Sequence, residues 1–166
     1  MIKSIPGTAF MYAVGLATTR WAILESIIDL IISLTYSELG GHPKHPKIPR
    51  VLSSKVTYLR DMAEWDEFPH WRDRLVELAD RVDDLKERRH DIVHGVVLGE
   101  PSYTDMKLFR IIYEKTHLRA PEDLKIRIAD VAKLSDDTTS LGKDFTTLAL
   151  ELHARFEEVR NEATGE

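Results

Sequence analysis

The sequence predicts a mainly α-helical protein, an up-and-down bundle of four helices with a β-hairpin inserted between the third and fourth. Three observations predict it. Apolar residues recur at helical spacing through four long segments, stretches containing Gly and Pro separate those segments, and two short runs between 107 and 128 alternate apolar with polar residues. We expect a single domain over residues 1–166, with the hairpin insertion at about 105–128.

The first helix is expected from Thr8 to Leu39, where two glycines end it. One apolar stripe at helical spacing comprises Trp21, Leu24, Ile27, Ile28, Ile31 and Leu34. Ile23, Leu30 and Ile32 add apolar area away from this stripe, so the helix must bury more than one side. Two interpretations are open: a central helix in a thick core, or a second face that pairs with another copy of the chain.

The other elements follow from the same spacing rules. The second helix is expected at about Leu52–Trp65, the third at about Pro69–Val97, and the last from Asp130 as its N-cap to about Asn161. The hairpin strands are expected at Lys107–Glu114 and Leu124–Ile128. The inward positions of the helices are Val56, Leu59, Met62, Ala63, Trp71, Leu75, Leu78, Val82, Leu85, Ile92, Val96, Leu134, Leu141, Phe145, Leu148, Leu152 and Phe156.

The composition limits the possible functions. The net charge of -5 excludes a surface that is basic overall, so any contact with RNA must be local. The chain has no cysteine, which excludes disulfides, thiolate metal sites and a thiol nucleophile. Charged residues such as Arg20, Glu25 and Asp29 interrupt the apolar first helix, so no segment is expected to span a membrane. These features predict a soluble, cytoplasmic protein.

A basic segment follows the first helix. Residues 40–53 contain three prolines and are expected to form a loop that cannot be helical. No acidic residue occurs from Leu39 to Leu59, and the basic residues there are Lys44, His45, Lys47, Arg50 and Lys55. Such charge runs are most often solvated surface, and the alternative is a lip that contacts RNA phosphates. His42 and His45 are weak metal ligands, because no carboxylate lies near them in sequence.

Residues 87–97 combine groups that transfer protons with groups that bind anions, near the end of the third helix. Arg89 and His94 lie about 140° apart around a helix and about 7.5 Å along it. Histidine suits acid–base catalysis near neutral pH, and arginine matches a phosphate with a fork of donors. We therefore expect Arg89 and His94 to be catalytic in a metal-free cleavage of phosphodiesters, with Arg88, His90 and Asp91 in support.

This motif resembles that of the HEPN superfamily: Arg89, the polar residue His90 and His94 match in order, and Gly95 follows. The resemblance implies a four-helix bundle that forms a homodimer with a composite site. It implies a metal-independent endoribonuclease without a cofactor, acting on RNA in a toxin, antiphage or stress system with an antitoxin or regulatory partner. Val96 stands where members inactivated by a partner nucleotidyltransferase carry tyrosine, which argues against that subgroup.

Two other functions fit the same residues. A non-catalytic HEPN-like module for dimeric interaction or RNA binding would use the motif as a structural polar network. A metallohydrolase would use His90 and His94, whose spacing suits a shared metal, but no third ligand is evident, so we expect no metal. If the helices run up and down, the basic segment and the motif should lie at the same end of the bundle.

Overall fold

The computed structural model describes residues 7–94, 96–97, 102, 104–110 and 122–164. These residues are mainly helical, and an antiparallel sheet separates the last two helices, as predicted. The elements are α1 (Thr8–Glu38), α2 (Gly41–Lys44), α3 (Leu52–Ala63), a 3-10 turn (Pro69–Trp71), α4 (Arg72–His94), β1 (Val96–Val97), β2 (Asp105–Arg110), β3 (Glu122–Arg127) and α5 (Ile128–Thr164).

The proline-containing segment after α1 differs from its prediction. Residues 41–44 form one helical turn, α2, and the backbone N–H of His45 donates to the Gly41 carbonyl at 2.9 Å. The expectation that this segment cannot be helical was wrong. Pro43 is tolerated there because the N–H groups of a first helical turn have no intrahelical acceptor in any case.

The third predicted helix ends earlier than expected. It ends at His94, and Val96 and Val97 form the short strand β1 opposite Phe109 and Leu108 of β2. The sheet therefore has three antiparallel strands in the order β1-β2-β3, where the sequence predicted two. The β-branched side chains of these valines favour a strand, and pairing with β2 supplies the backbone partners that the helix pattern did not reveal.

Strands β2 and β3 confirm the predicted hairpin, but their first and last residues differ from those predicted. Asp105 pairs with Arg127 at one end and Arg110 with Glu122 at the other. Met106, Leu108 and Ile126 are buried, whereas Lys107, Lys125 and Arg127 are exposed, so the sheet has one apolar face. The predicted strand positions 111–114 lie outside the described residues.

Asp130 lies in the first turn of α5, so its prediction as the N-cap was wrong. Its carboxylate accepts the backbone N–H of Arg127 at 3.2 Å and the Arg127 guanidinium at 2.7 Å. A carboxylate at this position satisfies a backbone donor that precedes the helix, which is the second half of a capping box.

The chain forms two compact units, and each draws on segments that are distant in sequence. The first unit comprises the described residues up to Trp21 and from Leu85 to Thr138, and the second comprises Ala22–Asp84 and the described residues from Thr139. The single-domain organisation over 1–166 stays a prediction. The largest buried side chains of the first unit are Phe10, Trp21, Leu85, Ile92, Met106, Leu108 and Leu134, and those of the second include Leu24, Ile28, Ile31, Tyr58, Phe68, Leu75 and Phe145.

The second apolar side of α1 is only partly buried. Ile32 is buried, as a thick core requires, but the exposed fractions of Ile23 and Leu30 are 56% and 60%. The thick-core interpretation is therefore right for Ile32 and wrong for the other two. In the part of the chain that the structure describes, neither α1 nor another helix has the length and apolarity to cross a bilayer.

Candidate functional site

The predicted catalytic motif occupies the last turns of α4. Arg88, Arg89 and Asp91 are half-buried, and His90 is exposed. His94 is the last residue of the helix, and its side chain lies outside the described atoms, as does Gly95. The structure therefore shows the surroundings of both arginine side chains. For His94, the proposed acid–base residue, it shows only the backbone position.

Arg88 is fully engaged in an ion pair. Its guanidinium donates to the Asp137 carboxylate of α5 at 2.7 Å. Asp137 also accepts from Lys133 at 2.9 Å. The hydrogen bond from Arg88 holds the pKa of Asp137 below its usual range, and Lys133 adds to that effect. Arg88 thus joins α4 to α5, and its supporting catalytic role stays a prediction.

Arg89 has a different environment. Its guanidinium carbon lies 5.7 Å from the centroid of the Trp21 ring of α1, within the range of a cation–π contact. Its Nε is buried and has no hydrogen-bond partner. Among the described residues, no carboxylate forms an ion pair with Arg89. Trp21 thus contacts the guanidinium without neutralising its charge, and none of the described carboxylates neutralises it.

The contact between Arg89 and Trp21 was missing from the sequence interpretation. Trp21 was assigned to the apolar stripe of α1, and it is buried as predicted. Only folding brings the middle of α1 and the end of α4 together, so no local pattern indicates this pair. The same holds for Asp137, because an acidic residue on α5 gives no sign of which arginine it contacts.

The basic segment is largely neutralised by carboxylates from elsewhere in the second unit. Lys44 pairs with Glu67 at 2.6 Å, His45 approaches Asp61 at 3.5 Å, and Lys55 pairs with Asp29 at 2.6 Å.

Lys55 is also buried, with 7% of its surface exposed, so its main role is structural. Of the five predicted RNA contacts, Lys47 and Arg50 have no ion-pair partner among the described residues. The basic segment belongs to the second unit, whereas the motif belongs to the first. Their predicted proximity stays a prediction.

Metal binding was also considered for the histidines. Among the described residues, no three His, Asp or Glu side chains are placed to hold a metal ion together. His90 and Asp91 each make contacts of their own. The chemistry of the described site is thus that of a guanidinium on an aromatic ring.

Comparison with protein-family models, with curated proteins and with solved structures found no match. The HEPN resemblance therefore rests on the order of Arg89, His90 and His94 within the helix. Function has to be argued from the geometry of the site itself.

Proposed function

We propose that the protein is a metal-independent endoribonuclease of HEPN type, an up-and-down bundle that acts as a homodimer. Arg89 binds the scissile phosphate, and His94 transfers the proton. The observation that carries this proposal is the difference between two adjacent arginines: Arg88 is paired with Asp137, whereas Arg89 rests on Trp21 without a described carboxylate partner. A guanidinium kept charged and held in place is what a phosphate site requires.

The position of His94 supports the second half of the proposal. It ends α4 five residues after Arg89, so the backbone positions of the two residues are close together. Histidine is the side chain whose ordinary pKa suits proton transfer near neutrality.

The reaction follows from these groups. An imidazole takes the proton of a ribose 2′-hydroxyl, and the 2′-oxygen attacks the neighbouring phosphorus. The bond from phosphorus to the 5′-oxygen breaks, and that oxygen receives a proton, so the products are a 2′,3′-cyclic phosphate and a 5′-hydroxyl. Arg89 stabilises the charge that develops on the phosphate oxygens. No oxidant, reductant or metal is needed.

The test is cleavage of a mixed-sequence RNA in the presence of EDTA. We expect the wild-type protein to produce 2′,3′-cyclic phosphate ends, and His94→Ala to lower the rate by about 100-fold or more. Lys143→Ala, an exposed position on α5, is the control and should cleave at the wild-type rate. Cleavage that is unchanged in His94→Ala, or that disappears with EDTA, contradicts the proposal.

The Arg89–Trp21 contact also favours a second candidate, the non-catalytic HEPN-like module for dimeric interaction or RNA binding. In that case the contact serves stability, worth about 0.5–2 kcal/mol for a cation–π pair. The module predicts no cleavage by wild type and a lowered melting temperature in Arg89→Ala. Cleavage by wild type that a folded Arg89→Ala variant lacks excludes it.

A further inference from the structure

A cleft of about 770 Å³ lies in the second unit, and it is separate from the motif of α4. It is formed by the end of α1, the segment that follows α2, and the start of α3. Its lining includes Tyr36, Lys47, Arg50, Val51 and Ser54, and none of the described lining residues is acidic. In a chain with a net charge of -5, a cleft lined by cations and free of carboxylates is a candidate for binding an anion.

Two cations that line this cleft have no carboxylate partner among the described residues. Lys44, nearby in sequence, is held by Glu67, and Lys55 is held by Asp29. Lys47 and Arg50 are exposed and form no ion pair with any described residue. Two cations on one short segment therefore keep their full charge at the wall of the cleft, where a phosphate would meet both.

The rest of the lining is suited to a flat, partly apolar group. Val51 is 62% exposed and Ile48 is 41% exposed, although both are large apolar side chains. Tyr36 adds an aromatic ring, and its edge-to-face contact with His42, with centroids 5.4 Å apart, fixes its orientation. Apolar and aromatic surface beside two unpaired cations is the combination that binds a base and a phosphate together.

We propose that this cleft binds a nucleoside phosphate, with Lys47 and Arg50 on the phosphate and Tyr36 and Val51 against the base. The phosphate has two possible sources, a free mononucleotide or one nucleotide of a single-stranded RNA. This inference goes beyond the proposed nuclease function and does not depend on it, because it is argued from the lining of the cleft in the second unit alone.

Binding is measured with two probes. The first is a fluorescein-labelled 2′-O-methyl RNA octamer, followed by anisotropy, which lacks the 2′-hydroxyl that the proposed cleavage needs. The second is unlabelled AMP, used both as a competitor and alone in calorimetry. The test variant is Lys47→Ala/Arg50→Ala, and the matched control is Lys143→Ala/Arg155→Ala, which removes one lysine and one arginine from exposed positions on α5.

We expect the Lys47→Ala/Arg50→Ala variant to bind at least tenfold more weakly and the control to stay within twofold of wild type. The slope of log affinity against log salt for the octamer should fall in magnitude by about 0.7, because the contact with one phosphate is lost. Tyr36→Leu should weaken binding by about tenfold at an unchanged salt slope, since stacking is not ionic.

The outcomes separate the two sources and the two proposals. Displacement of the octamer by AMP identifies a mononucleotide site, whereas an octamer that AMP does not displace identifies a strand site, and both support the cleft. Wild-type affinity in Lys47→Ala/Arg50→Ala, or no binding of either probe at millimolar concentration in low salt, overturns it. AMP binding is measured without RNA cleavage, so a protein that binds AMP through Lys47 and Arg50 but does not cleave RNA supports the cleft and contradicts only the nuclease proposal.

Discussion

The guanidinium of Arg89 lies over the indole ring of Trp21 at 5.7 Å, while the neighbouring Arg88 donates to Asp137 at 2.7 Å. Successive residues of a helix point about 100° apart, so two consecutive arginines meet different elements. Arg88 faces a carboxylate on α5, and Arg89 faces an aromatic ring on α1. Arg88 has a carboxylate partner and Arg89 has none among the residues that the structure describes, so single substitutions can separate their roles.

The pairing of Arg88 with Asp137 predicts an energetic coupling. Arg88→Ala and Asp137→Ala should each lower the free energy of unfolding, and a double-mutant cycle should give a coupling of about 0.5–1 kcal/mol, because the pair is only half-buried. Urea unfolding of the four proteins measures it. Arg155 and Glu158, an exposed pair on α5, form the control cycle and should show a smaller coupling. Equal couplings would contradict the structural role of Arg88.

The same pair predicts a dependence of stability on pH. The hydrogen bond from Arg88 lowers the pKa of Asp137 in the folded state, whereas the unfolded chain has an ordinary value of about 3.9. The stabilisation is therefore fully present above the unfolded pKa and is lost as pH falls through the lower folded pKa.

Asp137→Asn should accordingly be less stable than wild type at pH 7, and the difference should shrink below about pH 4. Urea unfolding at a series of pH values measures both proteins. Asp136→Asn is a useful neighbouring control, since Asp136 is more exposed. A difference between wild type and Asp137→Asn that stays constant from pH 7 to pH 2 would rule out the assigned cause.

Substitution by alanine should lower the free energy of unfolding at Gly41 and raise it at Gly15. A Cβ at Gly41 would lie 2.7 Å from the Cα of Tyr36 and 2.8 Å from the carbonyl oxygen of Thr35, whereas a Cβ at Gly15 meets nothing within 4 Å. Gly41→Ala should cost about 1–3 kcal/mol because the backbone of α1 has to move. Gly15→Ala should add about 0.5–1 kcal/mol by restricting the unfolded chain.

Thermal and urea unfolding of the two glycine variants provide the comparison, with each serving as the control of the other. A neutral Gly41→Ala would show that α2 does not pack against α1 as described. The outcome also bears on the cleft, because a Cβ at Gly41 would press against the backbone of Tyr36, which lines the cleft.

The homodimer in our proposal predicts a role for the exposed side of α1. Ile23 and Leu30 are seven residues apart on one helix face, and Ser26 between them donates its hydroxyl to the Ala22 carbonyl at 2.9 Å. Because the Ser26 hydroxyl already donates a hydrogen bond within the helix, burial of this face against a second copy would not leave that donor unpaired. Ile23→Glu/Leu30→Glu should convert a dimer to a folded monomer, measured by light scattering and circular dichroism.

Ser33→Glu, at an exposed position on the same helix, is the control for added charge and should have a smaller effect on the solution mass. A dimeric Ile23→Glu/Leu30→Glu variant would place the interface elsewhere. A monomeric wild type would contradict the composite site.

Sequence periodicity predicted the long helices well because each buries a continuous apolar stripe, and Leu75, Leu78 and Val82 are buried as expected. It failed at Val96, where apolar residues continue the helical pattern but pair as a strand. Counting charges along the chain did not reveal the ion pairs of Lys44 and Lys55, because their carboxylate partners Glu67 and Asp29 are distant in sequence. Contacts between residues distant in sequence determine which cations can still bind a ligand, and local sequence patterns do not show such contacts.

The most direct test of the central claim compares the two neighbouring arginines in one cleavage assay with EDTA, alongside their melting temperatures. We predict that Arg89→Ala lowers RNA cleavage by about 100-fold or more while it stays folded. Arg88→Ala should keep most of the activity while melting at a lower temperature. Full activity in Arg89→Ala, or equal loss of activity in both variants, would contradict the assignment of Arg89 as the phosphate-binding residue.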